Sequence, residues 1–215
     1  ELDDQQKAAV EQILTTPHQV TLIRGVAGAG KTTLMIEARR LIEDKGLRVM
    51  AVAPSSEASR GVLVNEGFKD ADTVAKLLSD PKMQEKLHGQ VLWCDEAGLL
   101  GTQETLAILK IADKQKARVI FAGDAKQHGS VTRGDAMRIL TKVGKIQPAE
   151  VNKIYRQKNE IYKAAVYDLS EGNVKAGFDK LNRIGAIVTV DPLKTNEHLV
   201  ADYIASTEKG KSVLI

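Results

Sequence analysis

Residues 25–33 read GVAGAGKTT. The first eight of them satisfy the pattern G-x-x-x-x-G-K-[ST] in full. On one side stands QVTLIR (19–24), which reads as a short strand, and on the other a helical period begins at Lys31. Glycines in such a place let the backbone wrap inward, so that its N–H groups and the helix N-terminus face an anion. Gly25, Val26, Ala27, Gly28, Ala29, Gly30, Lys31, Thr32 and Thr33 are therefore the candidate cradle for a nucleotide's phosphates. Lys31 is placed to bridge β- and γ-phosphate oxygens, and the Thr32 hydroxyl to ligate Mg²⁺.

A magnesium–nucleotide site needs a further carboxylate, commonly at the end of a buried strand. VLWCDEAG (91–98) supplies one: four apolar residues, then Asp95 and Glu96. Asp95 is the candidate for the magnesium shell, and Glu96 the candidate general base or water positioner. Trp93 and Cys94 read as core residues of the strand. LRVMAVA (47–53), a nearly continuous apolar run, lies between the loop and this pair and suits a parallel sheet covered on both faces. With the Asp-Glu dipeptide it resembles the P-loop class that has an extra central strand and a catalytic glutamate.

Strand-like and helical periods alternate along the rest of the chain. Helices are expected over 3–15, 31–44, 55–66, 73–78, 80–88, 102–114, 133–143, 160–171, 174–181 and 193–206. Further strands are expected over 90–95, 117–123 and 186–190, with SVLI (212–215) as the start of another. This is an α/β pattern with a mainly parallel sheet. GKIQPAE (144–150) breaks the helical period after Val143, so residues 1–143 are expected as one nucleotide-binding domain and 144–215 as a linker and the opening of a second. The chain opens on ELDDQQ without a methionine and closes on SVLI, so a segment of a longer protein is expected.

Composition narrows the class. Among 215 residues, 43% are apolar and 27% charged, ordinary for a globular protein, and no apolar run approaches the length of a membrane span. The single cysteine, Cys94, cannot form an internal disulfide and suits a reducing, cytoplasmic setting. His18, His88, His128 and His198 show no metal-ligand spacing. Between Lys110 and Lys163 there are 13 Lys/Arg against 5 Asp/Glu, in a chain whose net charge is +3. That asymmetry fits a polyanion partner and equally fits lysine-rich solvated helix faces.

Four more stretches occur in the order found in superfamily 1 DNA helicases. LDDQQKAAV (2–10) resembles their Q motif, APSSEASR (53–60) motif Ia, GDAKQH (123–128) motif III and IYRQ (154–157) motif IV. GDAKQHGSVTRGDAMRIL, KIYRQKNEIYKAAVYDLSEG and GAIVTVD are similar to the RecD-like helicase part of conjugative relaxase–helicases of the MobF type. The resemblance implies a RecA-like domain followed by the beginning of a second, with ATP and Mg²⁺ in the cleft between them. It puts Gln6 on the adenine edge, Asp124 at a strand end, Gln127 as sensor of the γ-phosphate and Arg156 as a cation reaching that phosphate from across the cleft. Ser55, Ser56, Arg60 and Thr73 are the implied contacts to single-stranded DNA, through phosphates and with little sequence preference. Translocation 5′→3′ is implied too, as are relaxosome or other conjugation components as partners of the full-length protein. No histidine cluster of a relaxase is present, and motifs V and VI are absent from this stretch. Two other readings stay open: a nucleotide- or DNA-binding module with little turnover of its own, and a P-loop kinase or switch, for which no acceptor-binding lid is visible.

Overall fold

A computed structural model describes residues 2–25, 29–123, 136–153 and 159–208. It divides along the chain into two compact units, residues 1–158 and 159–215. In chain order the first unit holds α1 (Asp4–Thr15), β1 (Val20–Gly25), α2 (Lys31–Glu43), β2 (Val49–Ala53), a π-helical stretch (Glu57–Leu63) and β3 (Asp72–Thr73). It continues through α3 (Val74–Ser79), α4 (Pro81–Glu85), β4 (Val91–Cys94), a 3-10 turn (Ala97–Leu99), α5 (Thr102–Gln115), β5 (Arg118–Gly123), α6 (Ala136–Lys142) and β6 (Ala149–Val151).

The six strands form one sheet in the order β3-β2-β4-β5-β1-β6, and every pair is parallel. The continuous apolar runs explain this, because strands buried on both faces need no polar alternation. Successive side chains point to opposite faces. Leu22, Val52, Leu92, Cys94, Val119 and Phe121 share one buried cluster with Leu77 of α3 and Ile108 and Ala112 of α5. The alternate positions Ile23, Ala51, Trp93, Ile120 and Ala122 are equally buried, as are Ile13 of α1 and Leu34, Met35 and Ala38 of α2. Cys94 lies mid-sheet, in register with Val52 on one side and Phe121 on the other. Burial pushes its thiol pKa up, and the nearby carboxylates of Asp95 and Glu104 add to the rise.

Parallel strands place all their carboxyl ends on one edge of the sheet. Gly25, Ala53, Cys94 and Gly123 therefore end at the same edge, and the loops that follow them converge there. Ligands of open α/β sheets bind outside this edge, where the strand order reverses. Here the chain leaves β1 for β2 across two intervening strands, then adds β6 on the far side of β1. Residues 144–153, expected to open a linker, run on within the first unit as far as β6 pairs with β1 (Ile23 with Ala149, Gly25 with Val151).

The second unit holds α7 (Glu160–Ser170), α8 (Val174–Arg183), a 3-10 turn (Pro192–Lys194) and α9 (Thr195–Thr207). Asn159 caps α7 by accepting from the N–H groups of Ile161 and Tyr162. Helices α7 and α8 close on one another around Ala165 and Gly177, with an ion pair between Lys180 and Asp168. Residues 186–190, expected as a strand, form none. A run of β-branched residues becomes a strand only beside a partner ladder, and among the described residues nothing pairs with it. Val188 is 75% exposed. The expected strand 212–215 lies outside the described residues.

Candidate functional site

The site begins where β1 ends. Gly25 is pressed between the Lys31 side chain and the carbonyl of Val151, and a β-carbon there would stand 3.0 Å from each. The Lys31 ammonium donates to the Gly25 carbonyl at 2.6 Å. Gly30, in the left-handed region (φ 70°), is the residue before the first turn of α2, so Lys31, Thr32 and Thr33 open that helix. Thr32 is half-buried and Thr33 exposed. Ala29 is buried beneath the turn. Val26, Ala27 and Gly28 lie outside the described residues.

The adjacent strand end brings in the carboxylates. Asp95 follows β4 and donates its N–H to the Val52 carbonyl at 2.9 Å, which fixes it against β2. Burial raises its carboxyl pKa to about 6, opposed by the Glu96 N–H and the Lys31 charge and assisted by the carboxylates of Glu96 and Glu66. Glu96 takes a left-handed backbone (φ 49°, ψ 33°) and starts the 3-10 turn Ala97–Leu99. A non-glycine residue in that region is held there by its surroundings. The next strand end provides the hold: a β-carbon on Gly123 would lie 2.8 Å from the Gly98 nitrogen and 3.1 Å from that of Ala97. Gly123→Ala is thus expected to shift the turn that carries Glu96, lowering turnover more than nucleotide binding. A stability loss of about 1–3 kcal/mol, read by urea denaturation, should accompany it.

Asp124, Gln127 and Arg156 lie outside the described residues. Gln6 is 3% exposed. Its Nε2 donates to the carbonyls of Gly30 (3.2 Å) and Ala29 (3.4 Å), and its Oε1 accepts the Asp3 N–H at 3.1 Å. Two further groups were not expected from sequence. Gln5 accepts the N–H groups of Asn152 and Lys153 at 2.9 and 3.3 Å, tying the exit of β6 to α1. Glu66 has a buried carboxylate oxygen without a hydrogen-bond partner among the described residues, close enough to raise Asp95. Gln5 lies within LDDQQKAAV, but nothing in that stretch singled it out beside Gln6, and Glu66 lies outside every motif.

The four candidate DNA contacts gather at the β2 and β3 ends of the same edge. Ala53 is in register with Thr73, so the segment after β2 starts beside α3. Ser55 and Ser56 are exposed, and the Ser55 hydroxyl accepts the Ala58 N–H at 3.1 Å. Thr73 caps α3 by accepting from Lys76 N–H. Arg60 is exposed and pairs with Asp72 at 2.8 Å. For Asp72, partial burial works upward but is overcome by the Thr73 N–H and the Arg60 guanidinium, leaving its pKa below the usual value.

Among the described residues no helix is long and apolar enough to cross a membrane. The chain is 30% identical over its whole length to a conjugal transfer protein TraA of Rhizobium radiobacter, of which it spans 19%. It is 29% identical over 187 residues, 83% of the chain, to the ATP-dependent RecD2 DNA helicase of Deinococcus radiodurans, spanning 25% of that protein. The resemblance to RecD-like helicases and conjugative relaxase–helicases read from the motifs is borne out by these relatives. In three dimensions it is similar to the Pif1 helicase of Candida albicans, with a TM-score of 0.63 at 18% identity, covering the whole of this chain and 55% of the other. That likeness bears out the α/β, RecA-like fold. A model of the AAA domain matches residues 1–192, from α1 through the whole parallel sheet and beyond it. The chain belongs to the AAA domain family.

Proposed function

We propose that this chain is the ATP-hydrolysing core of a DNA helicase within a longer conjugation protein, driving 5′→3′ movement on single-stranded DNA. The carrying observation is the convergence of Lys31, Thr32, Asp95 and Glu96 at one parallel sheet edge. The residues present suit ATP with Mg²⁺: Asp95 is a half-buried carboxylate at the strand end, close enough to Lys31 for that charge to act on it. Gly25 leaves room against Lys31 that a side chain would fill. Thr32 and Asp95 would hold the metal, which, when bound, neutralises and orients the phosphates. Lys31 would exchange its Gly25 carbonyl for phosphate oxygens. Glu96 would orient the attacking water and accept its proton, Gln127 would sense the γ-phosphate, and Arg156 would meet that phosphate from across the cleft.

Residues beyond β6, Arg156 among them, would lead into and begin the second RecA-like domain, and ATP-driven opening and closing would move the chain along DNA. Ser55, Ser56, Arg60 and Thr73 would bind backbone phosphates, Arg60 by leaving an exposed ion pair whose loss costs little. Partners of the full-length protein would include relaxosome components, in the cytoplasm. The test is hydrolysis measured with and without an oligothymidylate. The expected result is stimulation by DNA that declines steeply with salt. ATP binding without any hydrolysis, with or without DNA, would leave a binding module instead.

A further inference from the structure

Helix α5 joins β4 to β5 and α6 follows β5, and parallel connections of one hand bring both helices to the same face of the sheet. Met137 and Leu140 of α6 share a buried cluster there with Ile108, Leu109 and Ala112 of α5. Three aliphatic side chains stay outside it: Leu106 is 50% exposed, Ile139 39% and Val143 75%. They sit among cations. Lys110 and Lys114 stand one turn apart on α5, Lys142 ends α6, and all three are exposed. Asp113 is the only exposed carboxylate among the described residues of the two helices. On α2, by contrast, Arg39 pairs with Glu43 and Arg40 with Glu37 and Asp44. The positive excess that begins at Lys110 in the sequence thus gathers in part on one helical face, around an apolar centre.

Two kinds of polyanion suit a cationic face, and the apolar members separate them. Nucleic acid is held by cations together with aromatic platforms or hydroxyl donors. Here the centre is aliphatic, and no aromatic side chain lies on either helix. Leucine, isoleucine and valine gain by covering apolar atoms, and the lysine stems around them add apolar length beneath their charges. A helix with an apolar stripe at i, i+3 and i+7 and carboxylates on its flanks satisfies both demands. We propose that the outer face of α5 and α6 docks an acidic amphipathic helix of a protein partner. Charge steers the encounter and apolar contact sets its lifetime. The proposal stands apart from the nucleotide-site reading, since none of these residues belongs to that site.

The test is fluorescence anisotropy of the 215-residue chain with a labelled synthetic peptide of about 18 residues, long enough to hold a helix, with leucines on one stripe and glutamates beside it. A scrambled peptide of the same composition is the control. The amphipathic peptide is expected to bind in the micromolar range, roughly tenfold tighter than the scrambled one. Val143→Asp and Leu106→Ser should each weaken it about tenfold. Lys110→Glu combined with Lys142→Glu should do the same and remove most of its salt dependence. The urea midpoint and ATP hydrolysis should stay as in wild type in every variant, because the substituted side chains are exposed and lie outside the nucleotide site. No binding of either peptide, equal binding of both, or unchanged affinity in the variants would overturn the proposal. So would displacement of the peptide by an oligothymidylate that itself binds the lysine variant more weakly, which would make the face a nucleic-acid surface.

Discussion

Replacing Glu96 by glutamine is expected to leave ATP affinity within about twofold of wild type and to lower turnover by about 10²–10⁴. The side chain keeps its size and the backbone its left-handed turn, so the geometry that fixes Asp95 is undisturbed. What is lost is a basic oxygen able to take a proton from water. Asp95 is not expected to take over the role, because it accepts the Glu96 N–H and would be engaged in holding the metal. The comparison is made by equilibrium binding of a fluorescent ATP analogue alongside steady-state hydrolysis. Retained turnover would remove Glu96 from the mechanism.

Arg156→Ala carries the second large effect. A cation reaching the γ-phosphate from a second wall stabilises charge that develops only during transfer, and such arginines contribute about 10³–10⁵ in rate, or roughly 4–7 kcal/mol. Turnover should fall by that order while binding changes little, because on the proposed reading the ground-state phosphates would be held by Lys31 and the loop. Hydrolysis in the variant, measured with DNA at saturation, checks it. A loss confined to ATP affinity would instead make Arg156 a ground-state contact.

Sequence carried the central strands well because each is a long apolar run tied to a motif. QVTLIR, LRVMAVA, QVLWCD and ARVIFAG became β1, β2, β4 and β5 with ends shifted by one or two residues. The outer strands β3 and β6 escaped notice because two or three residues hold no periodicity. They exist only because an exposed ladder edge was available beside β2 and β1. The run 186–190 shows the converse, a strand-like composition without a ladder to join. The stretch 55–66 was legible as helical, but not as the wider π-helical winding over Glu57–Leu63. At the site, the chemistry-bearing types were legible because their spacing to the strands is short. Gln6 was legible as important yet not in what it touches, since Ala29 and Gly30 lie more than twenty residues away. Nor could Glu66 be found, because its nearness to Asp95 is a product of packing alone.

Cys94 gives the molecule a built-in reporter. It is the one thiol in the chain, fully buried in the strand that delivers Asp95 and Glu96. A thiol so placed, and held protonated by its surroundings, is closed to alkylating reagents while the sheet is shut. Labelling at that single sulfur therefore times the opening of the sheet's centre, without any engineered probe and directly beside Asp95.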